Sequence, residues 1–136
     1  MESKHLTYTK VMVVDDAPAD RFLAKKILTK YGFAEDVVSV ESAMDALDYL
    51  IRNQGDVQTL PDLIFLDINM PEMSGFDFLD EYHKLAEPVK RKCIIVMLSS
   101  SLHPEDREKA LNSPYVCQFL NKPLNAQKLQ EVQGPS

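Results

Sequence analysis

Five polar residues stand out because each follows a short apolar run. Asp15 and Asp16 come directly after Val11-Met12-Val13-Val14, and Asp67 comes after Leu63-Ile64-Phe65-Leu66. Ser99 follows the run Cys93 to Leu98, and Lys122 comes just beyond Val116 to Leu120. Gathered in one place, three carboxylates would repel one another, and each anion removed from water is costly. Lys122 supplies one compensating charge. A hard divalent cation with oxygen ligands is the natural supplement, and Mg²⁺ suits best because it keeps several waters and takes only one or two carboxylates. Taken singly, each residue has a plain structural reading: an Asp or Ser after a strand caps a helix or forms a turn, and a Lys is a solvated surface charge. Their joint placement at the ends of four runs points to chemistry.

The runs themselves must position these groups. Lys10 to Val14 is β-branched and continuous, as suits a strand covered on both faces of a parallel sheet. A helix follows, with Pro18 near its first turn, Phe22, Leu23, Ile27, Leu28 and Tyr31 at helical spacing, and Gly32 as stop. Asp36 to Val40 reads as a second strand. Ser42 and Asp45 form a capping pair for a helix that buries Ala43, Ala46, Leu47, Leu50 and Ile51. After the third run, Pro71 and Gly75 make a turn into a helix with Phe78, Leu79, Tyr82 and Leu85 on one stripe. Glu87 to Lys92 reads as a basic surface loop. Pro104, Glu105 and Asp106 open a fourth helix with a thin apolar face (Leu102, Ala110, Leu111), and Leu124 to Val132 is a last short helix. Strict strand–helix alternation predicts an α/β fold, a doubly wound five-stranded parallel sheet with helices on both faces. In such sheets the carboxyl ends of the strands converge where strand order reverses, so the five polar residues are expected to share one rim.

Composition narrows the function classes. A chain of 136 residues with 45% hydrophobic residues can bury one substantial core. The net charge of −6, from 15 Lys plus Arg against 21 Asp plus Glu, argues against autonomous nucleic-acid binding. Lys90, Arg91 and Lys92 are too short a basic cluster to reverse that. Cys93 and Cys117 give neither a disulfide framework nor metal-ligand spacing, and both are expected to be buried, inert thiols in a reducing, cytoplasmic setting. No apolar run approaches the roughly 18 residues of a membrane span, and residues 1–10 lack a signal-peptide core.

Five matches occur in order: Val-Val-Asp-Asp at 13–16, Leu-Asp-Ile-Asn-Met-Pro at 66–71, Gly75, Met-Leu-Ser-Ser at 97–100, and Lys-Pro at 122–123. On these residues the chain resembles the receiver domain of two-component response regulators. The resemblance covers residues 9–132, with 1–8 and 133–136 expected to be flexible termini and no output domain expected beyond. It implies a flavodoxin-like (βα)5 fold of strand order 2-1-3-4-5. By the resemblance, Asp67 is the phosphoacceptor, and Asp15 and Asp16 hold Mg²⁺ together with Asp67 and the backbone carbonyl of Asn69. Ser99 binds the phosphoryl group, with Ser100 beside it gating access of water and partners. Lys122 pairs with Asp67 and then with a phosphoryl oxygen, its bond to Pro123 often cis. Phe119 is the switch aromatic, expected to move inward from an exposed position as Ser99 shifts. The implied partners are a sensor histidine kinase or histidine phosphotransfer protein and a downstream protein, docked on the fourth helix, fifth strand and fifth helix. The chain is expected to be a monomer or weak dimer that catalyses only its own phosphoryl transfer and dephosphorylation.

Other readings compete. A haloacid-dehalogenase-type phosphatase also uses an aspartate nucleophile after a strand, but its second carboxylate is replaced here by Asn69. A flavodoxin-like cofactor binder needs a Ser/Thr/Gly phosphate loop, whereas Asp15-Asp16-Ala17-Pro18 would repel phosphate. Among residues outside the site, His83 reads as a mid-helix surface residue, and Met70 and Met73 as packing groups.

Overall fold

A computed structural model describes residues 8–100 and 102–132. The residues 1–7 and 133–136, and Ser101 of the serine run, lie outside them. Five strands form one all-parallel sheet of order β2-β1-β3-β4-β5. They are β1 (Tyr8–Val14), β2 (Ala34–Val40), β3 (Leu63–Leu66), β4 (Ile94–Ser99) and β5 (Val116–Asn121). Tyr8, the first described residue, is buried in β1. Six helices connect and flank the strands: α1 (Pro18–Lys30), α2 (Ala43–Arg52), α3 (Gly75–Tyr82), α4 (Glu87–Lys92), α5 (Pro104–Leu111) and α6 (Ala126–Glu131). The expected basic loop is thus a helix. Its single buried residue, Val89, is too little to set up an apolar period, and Lys90 Nζ donates to the His83 carbonyl at 2.9 Å.

Alternation along the central strands builds two half-cores, because successive side chains point to opposite faces. Met12, Val14, Ile64, Leu66, Ile95 and Met97 pack with α2, α3, α4 and α5 on one face. Val11, Val13, Leu63, Phe65, Val96 and Leu98 pack with α1 and α6 on the other. The helices bury narrower stripes than their sequences imply. In α1 the buried residues are Ala24 and Leu28, while Phe22, Leu23 and Tyr31 are exposed; Ile51 at the end of α2, Leu102 and Leu111 are exposed as well. A two-layer contact accepts only one side of a short helix, and these residues fall outside it.

Helix starts follow the local chemistry. The Asp45 amide donates to Ser42 Oγ at 3.0 Å, as expected. At α3 a reciprocal capping box links Ser74 and Asp77. At the amino ends of the strands Asp62 closes the sheet, its carboxylate accepting from the Thr9 and Lys10 amides at 3.0 and 3.1 Å and pairing with Lys92 at 2.9 Å. Among the described residues no helix is long and apolar enough to cross a membrane.

Candidate functional site

The register of β1 and β3 brings the carboxylates together. Val14 lies opposite Leu66, and the Asp67 amide donates to the Val14 carbonyl at 3.0 Å, so Asp15 and Asp67 leave adjacent strands at one level. Asp15 is then fixed in its turn, accepting from the Ala17 amide at 2.9 Å, while its carbonyl accepts from the Arg21 guanidinium at 2.8 Å. Carboxylate oxygens of Asp15, Asp16 and Asp67 all lie within 4.8 Å of one another. Asp15 and Asp67 are buried, and Asp16 is exposed at the mouth.

Lys122 reaches this cluster from the end of β5, where its amide donates to the Ser99 carbonyl at 2.9 Å. The Lys122–Pro123 bond is cis. The ammonium lies 2.6 Å from Asp15 Oδ2, 2.9 Å from Asp20 Oδ2 and 3.6 Å from Asp67 Oδ2. Its primary partners are therefore Asp15 and Asp20, with Asp67 the most distant of the three. Asp20 is a site residue that sequence reasoning missed. An acidic residue in the first turn of a helix has an ordinary explanation in the helix dipole, and only the packing of α1 against the β5–α6 connection reveals its partner.

The electrostatics follow from this geometry. Burial raises the Asp67 carboxyl from 3.8 to about 6; the Lys122 charge opposes the rise, the Asp15 charge adds to it, and the amides of Asn69 and Ile68 oppose it. Burial alone would lower the Lys122 ammonium, but hydrogen bonds to Asp15 and Asp20 and the Asp67 charge hold it well above its ordinary value. The pocket keeps its lysine charged and leaves Asp67 short of compensation. A small, hard cation held by oxygen ligands fits such a donor set.

The remaining expected residues lie around this centre. Ser99 closes β4, fully buried, and Ser100 is exposed immediately after it. Asn69 is exposed in the loop beyond Asp67. That loop doubles back closely: the Gly75 amide donates to the Ile68 carbonyl at 2.8 Å, and a Cβ on Gly75 would stand 2.5 Å from the Asp67 carbonyl oxygen. Only glycine fits there. Phe119 departs from its expected exposed position. The ring is buried against the half-core that contains α5, with the Arg107 guanidinium 5.8 Å from its centroid.

Outside the site, His83 caps the end of α3 instead of lying mid-helix, and Nδ1 is 2.5 Å from the Tyr115 hydroxyl. Met70 is buried in the core and Met73 packs against it. Cys93 is buried, but Cys117 is exposed, because β5 is an edge strand.

Comparison with known proteins agrees with this geometry. The family model described as "Response regulator receiver domain" matches residues 11–133. A two-component response regulator of Cytophaga hutchinsonii has a crystal structure that superposes with a TM-score of 0.85 at 32% identity, over 93% of this chain and 94% of that one. A response regulator receiver protein of Dyadobacter fermentans superposes with a TM-score of 0.80 at 35% identity, over 90% and 93% of the two chains. A two-component response regulator of Oryza sativa subsp. japonica is 32% identical over 131 residues; the match takes in 94% of this chain and 55% of that protein. The chain thus spans about half the length of the first curated relatives it matches.

Proposed function

The chain belongs to the response regulator receiver domain family, and from that membership we propose that it is a phosphorylation-activated switch with Asp67 as phosphoacceptor. The observation that carries this reading is the position of Asp67: buried, one of three carboxylates whose oxygens lie within 4.8 Å of one another, and 3.6 Å from the Lys122 ammonium. Asp15, Asp16 and Asp67, with the Asn69 backbone carbonyl, would hold Mg²⁺. When bound, the ion supplies positive charge to the carboxylates and to an incoming phosphoryl group.

Phosphoryl transfer passes through a loose transition state, so the protein's work is positioning and charge compensation. An Asp67 carboxylate oxygen attacks phosphorus while the P–N bond to a donor phosphohistidine breaks. An acyl phosphate forms, and the imidazole leaves with the bonding pair and takes a proton from solvent. The close turn at Gly75 holds the Asp67 backbone. Lys122 meets the developing charge, and Ser99, at the end of the neighbouring strand, offers a hydroxyl to a phosphoryl oxygen. The product adds about −1.5 to −2 charges and three acceptor oxygens. Those oxygens draw on Ser99 and Lys122, both tied to β4 and β5, and the thin apolar face of α5 can loosen or shift in response. Phe119, buried against the half-core that contains α5, is the ring placed to respond to that movement.

The donor is a histidine kinase or a histidine phosphotransfer protein, and the output is contact with a protein partner. Unbridged Cys93 and Cys117 accord with a cytoplasmic setting.

The test is incubation with acetyl phosphate and Mg²⁺, followed by intact-mass and peptide analysis. One acid-stable, base-labile phosphoryl group is expected on Asp67 and none on Asp67→Asn. Steady turnover of diverse phosphoesters, or modification elsewhere, would overturn the reading.

A further inference from the structure

We propose that Asp20, in the first turn of α1, is a positioning residue that holds the Lys122 ammonium on the α1 side of the pocket until a phosphoryl group on Asp67 draws it across. This rests on the phosphoacceptor reading of Asp67 and adds to it a device for timing the lysine.

The distances carry the argument. Lys122 Nζ is within direct hydrogen-bonding distance of Asp15 at 2.6 Å and Asp20 at 2.9 Å, whereas Asp67 stands off at 3.6 Å. Lys122 is the cation common to all three carboxylates, so what Asp20 gains Asp67 loses. Asp15 lies inside the metal cluster and would be drawn towards a bound ion; Asp20 lies outside that cluster and would keep its hold. A cavity of about 60 Å³ lies on the α1 side of the ammonium, lined by Asp20, Lys122, Ala24, Leu98 and Pro123.

The two ends of this contact differ in environment. The Lys122 side chain is 16% exposed and that of Asp20 is 44% exposed. A half-exposed carboxylate gives a weak ion pair, strong enough to bias a lysine and weak enough to yield. A dianionic phosphoryl group on Asp67 offers more charge and more acceptor oxygens than Asp20 does, so the ammonium transfers to it. Asp20 thereby opposes the phosphorylated arrangement without touching the phosphoryl group.

The experiment compares the unsubstituted chain with Asp20→Asn and Asp20→Glu, measuring Mg²⁺ binding and beryllofluoride binding at saturating Mg²⁺ by calorimetry. Asp20→Asn should bind beryllofluoride about 3-fold more tightly, the ratio expected from losing a half-exposed ion pair. Asp20→Glu, which restores the carboxylate, should return the beryllofluoride affinity towards the original value, and failure of that rescue overturns the proposal. Unaltered beryllofluoride affinity in Asp20→Asn overturns it too, with the receiver reading intact. If the unsubstituted chain binds Mg²⁺ but no beryllofluoride, the receiver reading falls, and Asp20's role falls with it.

Discussion

At the scale of single residues, Asp67 is placed where its ionised form is poorly supported. Its carboxyl sits at about 6 against an ordinary 3.8, chiefly through burial. A raised acid favours the proton in the folded state. The stability it contributes is therefore fully present below the ordinary value and is lost as pH climbs through about 6. Metal-free Asp67→Asn, neutral throughout, should escape that loss and be more stable than the unsubstituted chain by about 3 kcal/mol at pH 7. Urea denaturation in a chelator at pH 4 and pH 7 checks this; parallel pH profiles for the two chains would refute it. The residues that converge on the pocket were readable because each follows an uninterrupted apolar run, and such runs end where a sheet ends. Asp20 was not readable, because nothing local marks a first-turn carboxylate whose partner lies 102 positions away. The burial of Phe119 was not readable, because one aromatic on an edge strand carries no local sign of which helix packs over it.

At the scale of elements, strands were easier to read than helices. β3 and β4 are buried on both faces, so their continuous apolar runs have one interpretation. The helices touch the sheet along one side only. Phe22 and Ile51 satisfy helical spacing and still face water, since spacing defines a stripe without defining its width. Short α4 carries three basic residues in its last turn and only Val89 inside, so its composition reads as loop. The two cysteines report on this layering. Cys93, between α4 and β4, is buried, with its Sγ donating to the Pro61 carbonyl at 3.2 Å and burial pushing the thiol up to about 12. Cys117 lies exposed on β5. An aromatic disulfide reagent at pH 8 should label one thiol per native chain, at Cys117, and a second only on unfolding. Rapid native labelling of Cys93 would show that α4 does not cover it.

At the scale of the whole molecule, the order β2-β1-β3-β4-β5 places the strands that carry Asp15 and Asp67 side by side at the centre. Like charges meet there because the topology leaves the central strands no other place to end. A ligand that binds the folded chain and not the unfolded one stabilises it by mass action, about 2.7 kcal/mol at a hundredfold excess over Kd. Mg²⁺ should accordingly raise the urea midpoint in proportion to the logarithm of its concentration above Kd, and Asp67→Asn should blunt the rise. A midpoint indifferent to Mg²⁺ would remove the metal from the account.

The far end of the sheet has the opposite character. Asp62 there gathers two backbone amides and a lysine, leaving its charge fully answered. Harm at that end would be felt as fragility, and harm at the rim as deafness: Asp62→Ala should loosen the chain while leaving the remaining folded molecules able to receive their signal.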